Sequence, residues 1–248
     1  MNILSINIRG VRGVGKGNWI KDVRESNGVD FLAMQETQSV GVSESCVRSY
    51  WGRSKMEWEV VDPVGRSGGI ISVWDPGVFC KIDCVKDRNF MLIKGRIKGC
   101  EEMVYVMNVY APQKVREKRD LWSRIAEIKE RNDGLWFLIA DFNAVRVQEE
   151  RYGSALNYAC TQSFNLLIAE SDLHEYHMAG GKYTFLVNGD RGAKQSKIDR
   201  LLVSRNVIES CPVALFSVLS RRLSDHNPIL FVVREISYGP EPFRFFSS

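Results

Sequence analysis

The chain of 248 residues has 34 lysine and arginine residues against 30 acidic residues, a formal net charge of +4. Its hydrophobic content of 44% is enough to bury the core of one α/β domain. No run approaches the roughly 18 apolar residues that a membrane-spanning helix needs, and the amino terminus lacks a basic and then apolar leader. We therefore expect a soluble, intracellular protein without membrane contact. A nuclear location is compatible with this, and no obligate protein partner is indicated.

Alternation of apolar and polar residues, together with short apolar runs, predicts strands in chain order. They cover residues 2–8, 30–35, 69–74, 79–85, 90–97, 103–110, 135–140, 183–187, 198–203, 213–219 and 229–233. Apolar residues at a spacing of three and four predict surface helices over 18–25, 117–131 and 158–169. This order favours two packed sheets with helices outside, in one domain over residues 1–235 with a tail over 236–248.

The pair Asp225-His226, directly before the apolar run 229–233, is the first indication of a functional site. The chain has three histidines, and this one has an acid before it and an amide, Asn227, after it. Such a cluster is typical of proton transfer or metal binding. The structural alternative is that acids and amides at strand ends only satisfy the backbone of turns.

Further polar groups stand at the ends of predicted strands. They are Asn7, Glu36, Asp141 with Asn143, and Asp199. A sheet can bring such strand ends together at one edge, so we expect them to meet near Asp225 and His226. All of them offer oxygen or imidazole, a ligand set that suits Mg²⁺ or Mn²⁺ rather than structural zinc. The six cysteines include no Cys-x-x-Cys pair, and their mostly apolar context favours reduced thiols.

Basic residues gather beside these candidate loops. The groups are Arg9, Arg12, Lys16, Lys21 and Arg24 around Asp22, and Arg191, Lys194, Lys197, Arg200 and Arg205 around Asp199. They favour a phosphate-bearing polymer as ligand, with Arg9, Arg12, Lys194, Lys197 and Arg200 as candidate contacts. Ordinary solvated loops explain the same pattern equally well. The polar segment 188–195 predicts a hairpin that either enters a nucleic-acid groove or is simply exposed.

Six motifs follow one another along the chain. They are Asn7 with Arg9-Gly10, Gln35-Glu36-Thr37, Asn108-Val109-Tyr110-Ala111-Pro112, Asp141-Phe142-Asn143, Lys197-Ile198-Asp199-Arg200 and Ser224-Asp225-His226-Asn227-Pro228. This ordered set resembles the endonuclease/exonuclease/phosphatase superfamily, which has the DNase I-like fold. It is similar in particular to the endonuclease domain of plant LINE-type (non-LTR) retrotransposons. Their Pro-x-Pro-Phe-x-Phe-Phe segment is matched here by residues 240–246.

The resemblance implies an α/β four-layer sandwich, in which two packed, mainly antiparallel or mixed sheets are flanked by helices. It implies that Glu36 and Asn7 bind Mg²⁺ or Mn²⁺, with Asp225 as a further ligand or ligand support. Asp141 would orient or deprotonate the attacking water. Asn143, Tyr110 and a protonated His226 would donate to phosphate oxygens, and Asp199 would fix the His226 ring.

This chain departs from its relatives at three positions. Arg9 stands where repair-type abasic endonucleases of the superfamily have an acid, and Ile6 where plant relatives often have tryptophan. Ala140 stands where they often have glycine, and its methyl group would crowd the turn if the backbone there has positive φ. The reactive groups are all retained, although the substitutions also fit a decayed copy of a mobile element.

The resemblance implies a divalent-metal-dependent phosphodiester hydrolase, namely a retrotransposon-derived DNA endonuclease that nicks duplex DNA and leaves a 3′-hydroxyl. One alternative is another hydrolase of the superfamily, acting as an abasic-site endonuclease, an RNA exonuclease or an inositol-phosphate phosphatase. The other alternative is a catalytically decayed remnant that binds nucleic acid or does nothing.

Overall fold

The structure is a computed structural model that describes residues 1–65, 67–189 and 192–233. The end of the expected domain at residue 235, the tail over 236–248, the aromatic segment 240–246 and Arg191 lie outside these ranges. Within them, no helix is both long enough and apolar enough to cross a membrane. The six cysteines all lie in the described ranges, and all are free thiols.

Five α-helices and sixteen strands form the described part of the chain. The helices are α1 (Lys16–Ser26), α2 (Glu44–Trp51), α3 (Val115–Glu130), α4 (Tyr158–Glu170) and α5 (Arg205–Ser210). The first eight strands are β1 (Ile3–Asn7), β2 (Phe31–Gln35), β3 (Glu57–Val61), β4 (Ile70–Trp74), β5 (Phe79–Asp87), β6 (Phe90–Ile97), β7 (Val104–Tyr110) and β8 (Leu135–Asp141). The others are β9 (Arg151–Tyr152), β10 (Leu173–Glu175), β11 (Met178–Ala179), β12 (Phe185–Gly189), β13 (Gly192–Ser196), β14 (Asp199–Ser204), β15 (Leu215–Val218) and β16 (Ile229–Val232).

These strands form two large sheets and one small one. The first large sheet has the order β11-β15-β16-β1-β2-β4-β3, and the second has the order β10-β14-β8-β7-β6-β5. Both are mixed, because β1–β2, β7–β8 and β11–β15 are parallel pairs and the remaining neighbours are antiparallel. The small sheet β12-β13-β9 contains the predicted hairpin, in which Val187 pairs with Lys194.

Successive side chains of β1 point to opposite faces of the first large sheet and so contact two different layers. Ile3 packs into the core cluster between the two large sheets, whereas Leu4 and Ile6 pack into a cluster with residues of α1 and α2. Residues of α3 and α4 cover the outer face of the second sheet in the same way, through side chains such as Trp122 and Phe164. Since successive strand residues point to opposite faces, each large sheet buries both faces. The expected four-layer sandwich is confirmed.

Several elements were not predicted from the sequence. They are α2, α5, β3 and the short strands β9, β10 and β11. Helix α2 has only eight residues, although it carries a recognisable N-cap in which Ser43 Oγ accepts from the Cys46 N–H at 3.3 Å. Strands β9, β10 and β11 have two or three residues each and pair with strands that are distant in sequence, so local periodicity gives a weak signal for them.

A polar layer replaces the apolar core between the sheets as they approach one end. Gln35 Nε2 donates to Ser5 Oγ at 2.9 Å and to Asn108 Oδ1 at 2.7 Å. Asn108 Nδ2 in turn donates to Ser72 Oγ at 3.1 Å. These side chains are almost completely buried, so the hydrogen bonds offset the cost of removing them from water. The layer fixes how the two sheets meet beneath the strand ends that carry the candidate site.

Arg200 is a structural cation rather than a nucleic-acid contact. Its side chain is 0% exposed and forms an ion pair with Glu175 at 2.9 Å and a second one with Glu150. Lys197 forms an ion pair with the same Glu175 carboxylate at 2.7 Å. The interpretation of Arg200 as a contact for nucleic acid is wrong, because a completely buried guanidinium presents no surface to a ligand.

Arg200→Leu tests this structural role. We expect the free energy of unfolding to fall by about 3–5 kcal/mol, because two largely buried carboxylates lose their common cation. Arg205→Leu is the matched control, since Arg205 pairs with Asp172 at the surface and should leave stability nearly unchanged. Urea unfolding monitored by tryptophan fluorescence measures both. Equal small losses in the two variants would contradict the structural assignment of Arg200.

Candidate active site

The predicted site residues of the two large sheets lie where their strands begin or end. Asn7 is the last residue of β1, and Glu36 follows its parallel neighbour β2. Asp141 ends β8 directly opposite Asp199, the first residue of β14. Asn7 Nδ2 donates to Asp141 Oδ2 at 2.9 Å, which joins the ends of the two sheets. These polar groups therefore share one edge of the sandwich.

His226 is held against this edge from the loop before β16 and is 3% exposed. Its Nδ1 lies 3.0 and 2.9 Å from the two carboxylate oxygens of Asp199. Its Nε2 lies 3.9 Å from Asp141 Oδ2. Thr184 Oγ1 accepts from the Asp199 N–H at 3.0 Å and so helps to fix this carboxylate. One ring nitrogen is thus anchored, and the other is directed toward a second carboxylate.

The charges at this edge change the proton affinities of both partners. Burial alone would lower the pKa of His226, but the Asp199 carboxylate and two further acids outweigh it and raise the pKa to about 9. Burial raises the pKa of Asp141 well above its usual value, and nearby Asp199 adds to the shift. At neutral pH an imidazolium therefore lies beside a carboxylate of increased proton affinity. This pair is suited to acid–base chemistry.

Asn143 is held close to Asp141 at the end of β8. Its backbone N–H donates to Asp141 Oδ1 at 2.9 Å. Its side-chain Nδ2 donates to the Ala111 carbonyl at 2.8 Å, and its Oδ1 accepts from Gln113 Nε2 at 2.8 Å. An amide nitrogen carries two hydrogens, so one remains for a bound ligand.

Tyr110 ends β7 beside Asp141, with which it pairs in the parallel register. Its burial, followed by the negative charges of Glu36 and Asp141, raises the pKa of the phenol. The hydroxyl therefore stays protonated and can act as a hydrogen-bond donor. A cavity of about 250 Å³ opens beside Tyr110, and its lining includes Gln113 and Glu117.

The predicted metal ligands are brought together on the other side of Asn7. Asp225 lies close to Arg9, whose guanidinium donates to Asp225 Oδ2, and Arg9 Nε is 3.9 Å from Glu36 Oε2. Asp225 Oδ1 is buried and, among the residues that the structure describes, has no hydrogen-bond partner. A buried carboxylate oxygen without a partner is costly unless a cation or water satisfies it. The oxygen donors Asn7, Glu36 and Asp225 therefore fit a hard divalent cation.

A second group of potential ligands is Asp141, Asp199 and His226, whose donor atoms all lie within 4.8 Å of one another. An ion bound by all three would have to share the Asp199 oxygens with the imidazole. Because His226 Nδ1 already donates to Asp199, we interpret this group as the acid–base part of the site. The Glu36 side stays the predicted metal side.

Backbone strain collects around the same edge. Positive φ angles at non-glycine residues include Arg9 at 47°, Glu36 at 54°, Gln38 at 52° and Asn143 at 48°. Each costs on the order of 1 kcal/mol or more and persists only where surrounding contacts impose it. Gly69 supports the Glu36 loop, because a Cβ there would lie 2.2 Å from Thr37 Oγ1. Ala140 is not among these residues and lies in a regular part of β8, so its methyl group crowds no turn.

The predicted nucleic-acid contacts have different environments. Arg12 is exposed, and its Nε donates to Ser39 Oγ at 3.2 Å. Lys194 is exposed on the hairpin, whereas Lys197 is paired with Glu175. Arg9 is half-exposed, with 49% side-chain exposure, and contacts acids of the site. Arg12 and Lys194 thus retain the exposure that a phosphate contact requires, and their role stays a prediction.

Supporting residues around the site were missed in the sequence. Gln38 Nε2 donates to Glu36 Oε1 at 2.9 Å, and Ser224 Oγ donates to the Asn7 carbonyl at 2.7 Å. Gln113 and Thr184 hold Asn143 and Asp199, as described above. Ser224 stands directly before Asp225-His226, so its motif offered a signal. The others lie on loops whose approach depends on the tertiary fold.

Comparison of the sequence with protein-family models gave no match, and comparison with curated proteins gave none either. The fold, in contrast, is similar to solved structures. The AP endonuclease LMAP from Leishmania major matches with a TM-score of 0.72 at 15% identity, over 94% of this chain and 87% of that one.

Two other matches cover the same length. The endonuclease domain of TRAS1, a telomere-specific non-LTR retrotransposon, has a TM-score of 0.64 at 15% identity, over 95% of this chain and 99% of that one. A 3′ phosphatase, NExo from Neisseria, bound to a product DNA hairpin, has a TM-score of 0.71 at 18% identity, over 95% and 100% of the two chains. This protein therefore has the DNase I-like fold that these structures share.

Proposed function

We propose that this protein is a divalent-metal-dependent phosphodiester hydrolase that nicks duplex DNA and leaves a 3′-hydroxyl. The observation that carries the proposal is the hydrogen bond between His226 Nδ1 and Asp199, with Nε2 directed at Asp141. These three groups lie at the edge where Asn7 ends β1 and Glu36 follows β2. Acid–base groups and oxygen ligands thus share one site.

The metal side of the site would hold Mg²⁺ or Mn²⁺ through Asn7, Glu36 and Asp225. When bound, such an ion neutralises charge on a phosphate and polarises its oxygens. Support comes from the buried Asp225 Oδ1, which has no hydrogen-bond partner within the described part of the chain, and from the absence of sulfur among these three donors. Gln38 donates to Glu36 Oε1 and would hold this carboxylate in place, with Oε2 left to bind the cation.

Asp141 would accept the proton of the attacking water. Its raised pKa makes it a stronger base than an exposed aspartate, since burial penalises its charged form. Asn7 and the Asn143 backbone each donate to one of its oxygens, at 2.9 Å in both cases. These hydrogen bonds fix the plane of the Asp141 carboxylate, so that it would accept the proton of the attacking water from one defined direction.

Hydrogen-bond donors around the site would stabilise the negative charge that develops on the phosphate during the reaction. His226 as imidazolium carries a proton on Nε2, while Asp199 holds Nδ1. Tyr110 supplies a hydroxyl and Asn143 its remaining amide N–H. Preorganised donors of this kind lower the barrier because they need no reorientation during the reaction.

DNA is the substrate that the surroundings favour. The exposed cations are Arg12, in the loop after β1, and Lys194, in strand β13 of the hairpin, and a polyanion is attracted by such groups through counterion release. Similar folds include an AP endonuclease, a retrotransposon endonuclease and a phosphatase bound to a DNA hairpin. These names support a nucleic-acid substrate for this chain and also set the alternatives to test.

The first functional prediction is that purified protein converts supercoiled plasmid to open circles with Mg²⁺ or Mn²⁺, and that EDTA abolishes this. Glu36 and Asp225 require a cation before a charged phosphate can approach. Gel electrophoresis measures nicking, and extension of the nicks by a DNA polymerase shows the 3′-hydroxyl. Glu36→Gln is the negative control for contaminating nucleases.

Three results would count against this assignment. Nicking that persists in EDTA would remove the metal from the reaction. Nicks that cannot be extended would contradict the 3′-hydroxyl. The third result is turnover of abasic duplexes, RNA ends or a soluble inositol phosphate without any nicking of intact plasmid. It would favour one of the alternative hydrolase activities.

The second functional prediction concerns the His226–Asp199 pair. His226→Ala should lose roughly 10²-fold or more in nicking rate while it remains folded, because a proton donor to the phosphate is lost. Asp199→Asn should lose part of this, because the ring keeps its place but loses the carboxylate that favours imidazolium. The double variant should be little slower than His226→Ala, since the two residues act as one unit.

Melting temperature and nicking rate measured on the same preparations separate this role from simple packing. A merely structural histidine would lower the melting temperature and leave near-normal activity per folded molecule. His174→Ala is the matched control, because this histidine contacts Asp172 at the surface and should change neither quantity. Additive losses in the double variant would show that His226 and Asp199 act independently.

A further inference from the structure

Arg9 lies between two of the proposed metal ligands. Its guanidinium donates to Asp225 Oδ2, and its Nε is 3.9 Å from Glu36 Oε2. Its backbone N–H donates to Asn7 Oδ1 at 3.2 Å. All three proposed oxygen ligands therefore contact or face the same arginine. A positive charge of the protein itself therefore lies next to both carboxylates that would bind a divalent cation.

The backbone that carries Arg9 is firmly held. Lys16 Nζ donates to the carbonyls of Ile8, Arg9 and Gly10 at 2.6, 2.8 and 3.1 Å. Gly10 N–H donates to the Glu36 carbonyl at 2.8 Å. The residue also keeps a strained φ of 47°. With the main chain fixed in this way, only the long side chain can move.

The Arg9 side chain has room to rotate toward solvent. It is 49% exposed, whereas the side chains of Glu36 and Asp225 are 12% and 21% exposed. The acids are therefore the less accessible partners and stay in place, and the arginine can rotate toward solvent. A partly exposed ion pair contributes little stability, so a divalent ion with higher charge can displace the guanidinium.

We propose that Arg9 is an internal counter-ion that competes with the divalent cation for Glu36 and Asp225, so that metal binding and release of the Arg9 side chain are coupled. The inference rests on the proposed metal-dependent function. Without metal, Arg9 neutralises two neighbouring acids. With metal, its planar guanidinium is released at the rim of the site, where it can bind a phosphate of the substrate. Arg9 thus acts as a positioning residue that sets the affinity for the cation.

The test is Mn²⁺ binding to the metal-free full-length protein without substrate, measured by the EPR signal of unbound Mn²⁺. Arg9→Gln removes the charge and keeps most of the side-chain length. It should bind Mn²⁺ about tenfold more tightly than the wild type. In the wild type, only those molecules in which the Arg9 guanidinium has left Glu36 and Asp225 can bind Mn²⁺, and this lowers the apparent affinity. Arg9→Gly should show the same gain, and it tolerates the positive φ without strain.

Arg12→Gln is the matched control. It removes the same charge from the same loop, but Arg12 contacts Ser39 rather than the acids. Its Mn²⁺ affinity should stay within about twofold of the wild type. Circular dichroism of each variant verifies that it is folded.

The outcomes separate this inference from the function on which it rests. If the wild type binds Mn²⁺ and both Arg9 variants bind it with equal or weaker affinity, the proposed competition is wrong, whereas the proposed metal site is retained. An equal gain in Arg12→Gln would overturn it as well, because the effect would then be one of net charge. Absence of Mn²⁺ binding in the wild type and in every variant would overturn the metal-dependent function itself, and the competition with it.

Discussion

The hydrogen bond from Asn7 Nδ2 to Asp141 Oδ2, at 2.9 Å, is the interaction on which the rest of the site depends. It joins the end of β1 in one sheet to the end of β8 in the other, above a polar layer in which Gln35 and Asn108 are also hydrogen-bonded across the sheets. Strands from both sheets therefore stop at the same depth. Their terminal side chains meet because the two sheets are held in this one relative position.

This arrangement divides the site into two halves with opposite electrostatic requirements. In one half, Asp199 stabilises an imidazolium on His226, and buried Asp141 gains proton affinity. In the other half, Arg9 pairs with Asp225 and its Nε lies 3.9 Å from Glu36 Oε2, so these two acids require a positive charge between them. The strained backbone of Arg9, Glu36 and Asn143 is the cost of directing these groups inward. Such strain is tolerated because the large layered core supplies the stability elsewhere.

Much of the fold could be predicted from the sequence, because long buried runs such as those around Leu4, Phe31 and Phe137 mark central strands. The strand-end positions of Asn7, Glu36, Asp141 and Asp199 were likewise readable, since acids and amides directly follow or precede those runs. The sequence did not indicate which side chains the individual arginines contact. Arg200 and Arg12 look alike in the sequence, yet one is completely buried between Glu150 and Glu175 and the other is exposed. Their environments are set by contacts between distant segments.

The division of the site into a metal half and an acid–base half is the central claim, and the position of a bound ion tests it most directly. A crystal soaked in Mn²⁺, with anomalous diffraction recorded near the manganese edge, locates the ion without reference to activity. We expect an anomalous peak against the carboxylates of Glu36 and Asp225, with the His226–Asp199 hydrogen bond intact. A peak between His226, Asp141 and Asp199, with that hydrogen bond broken, would contradict it.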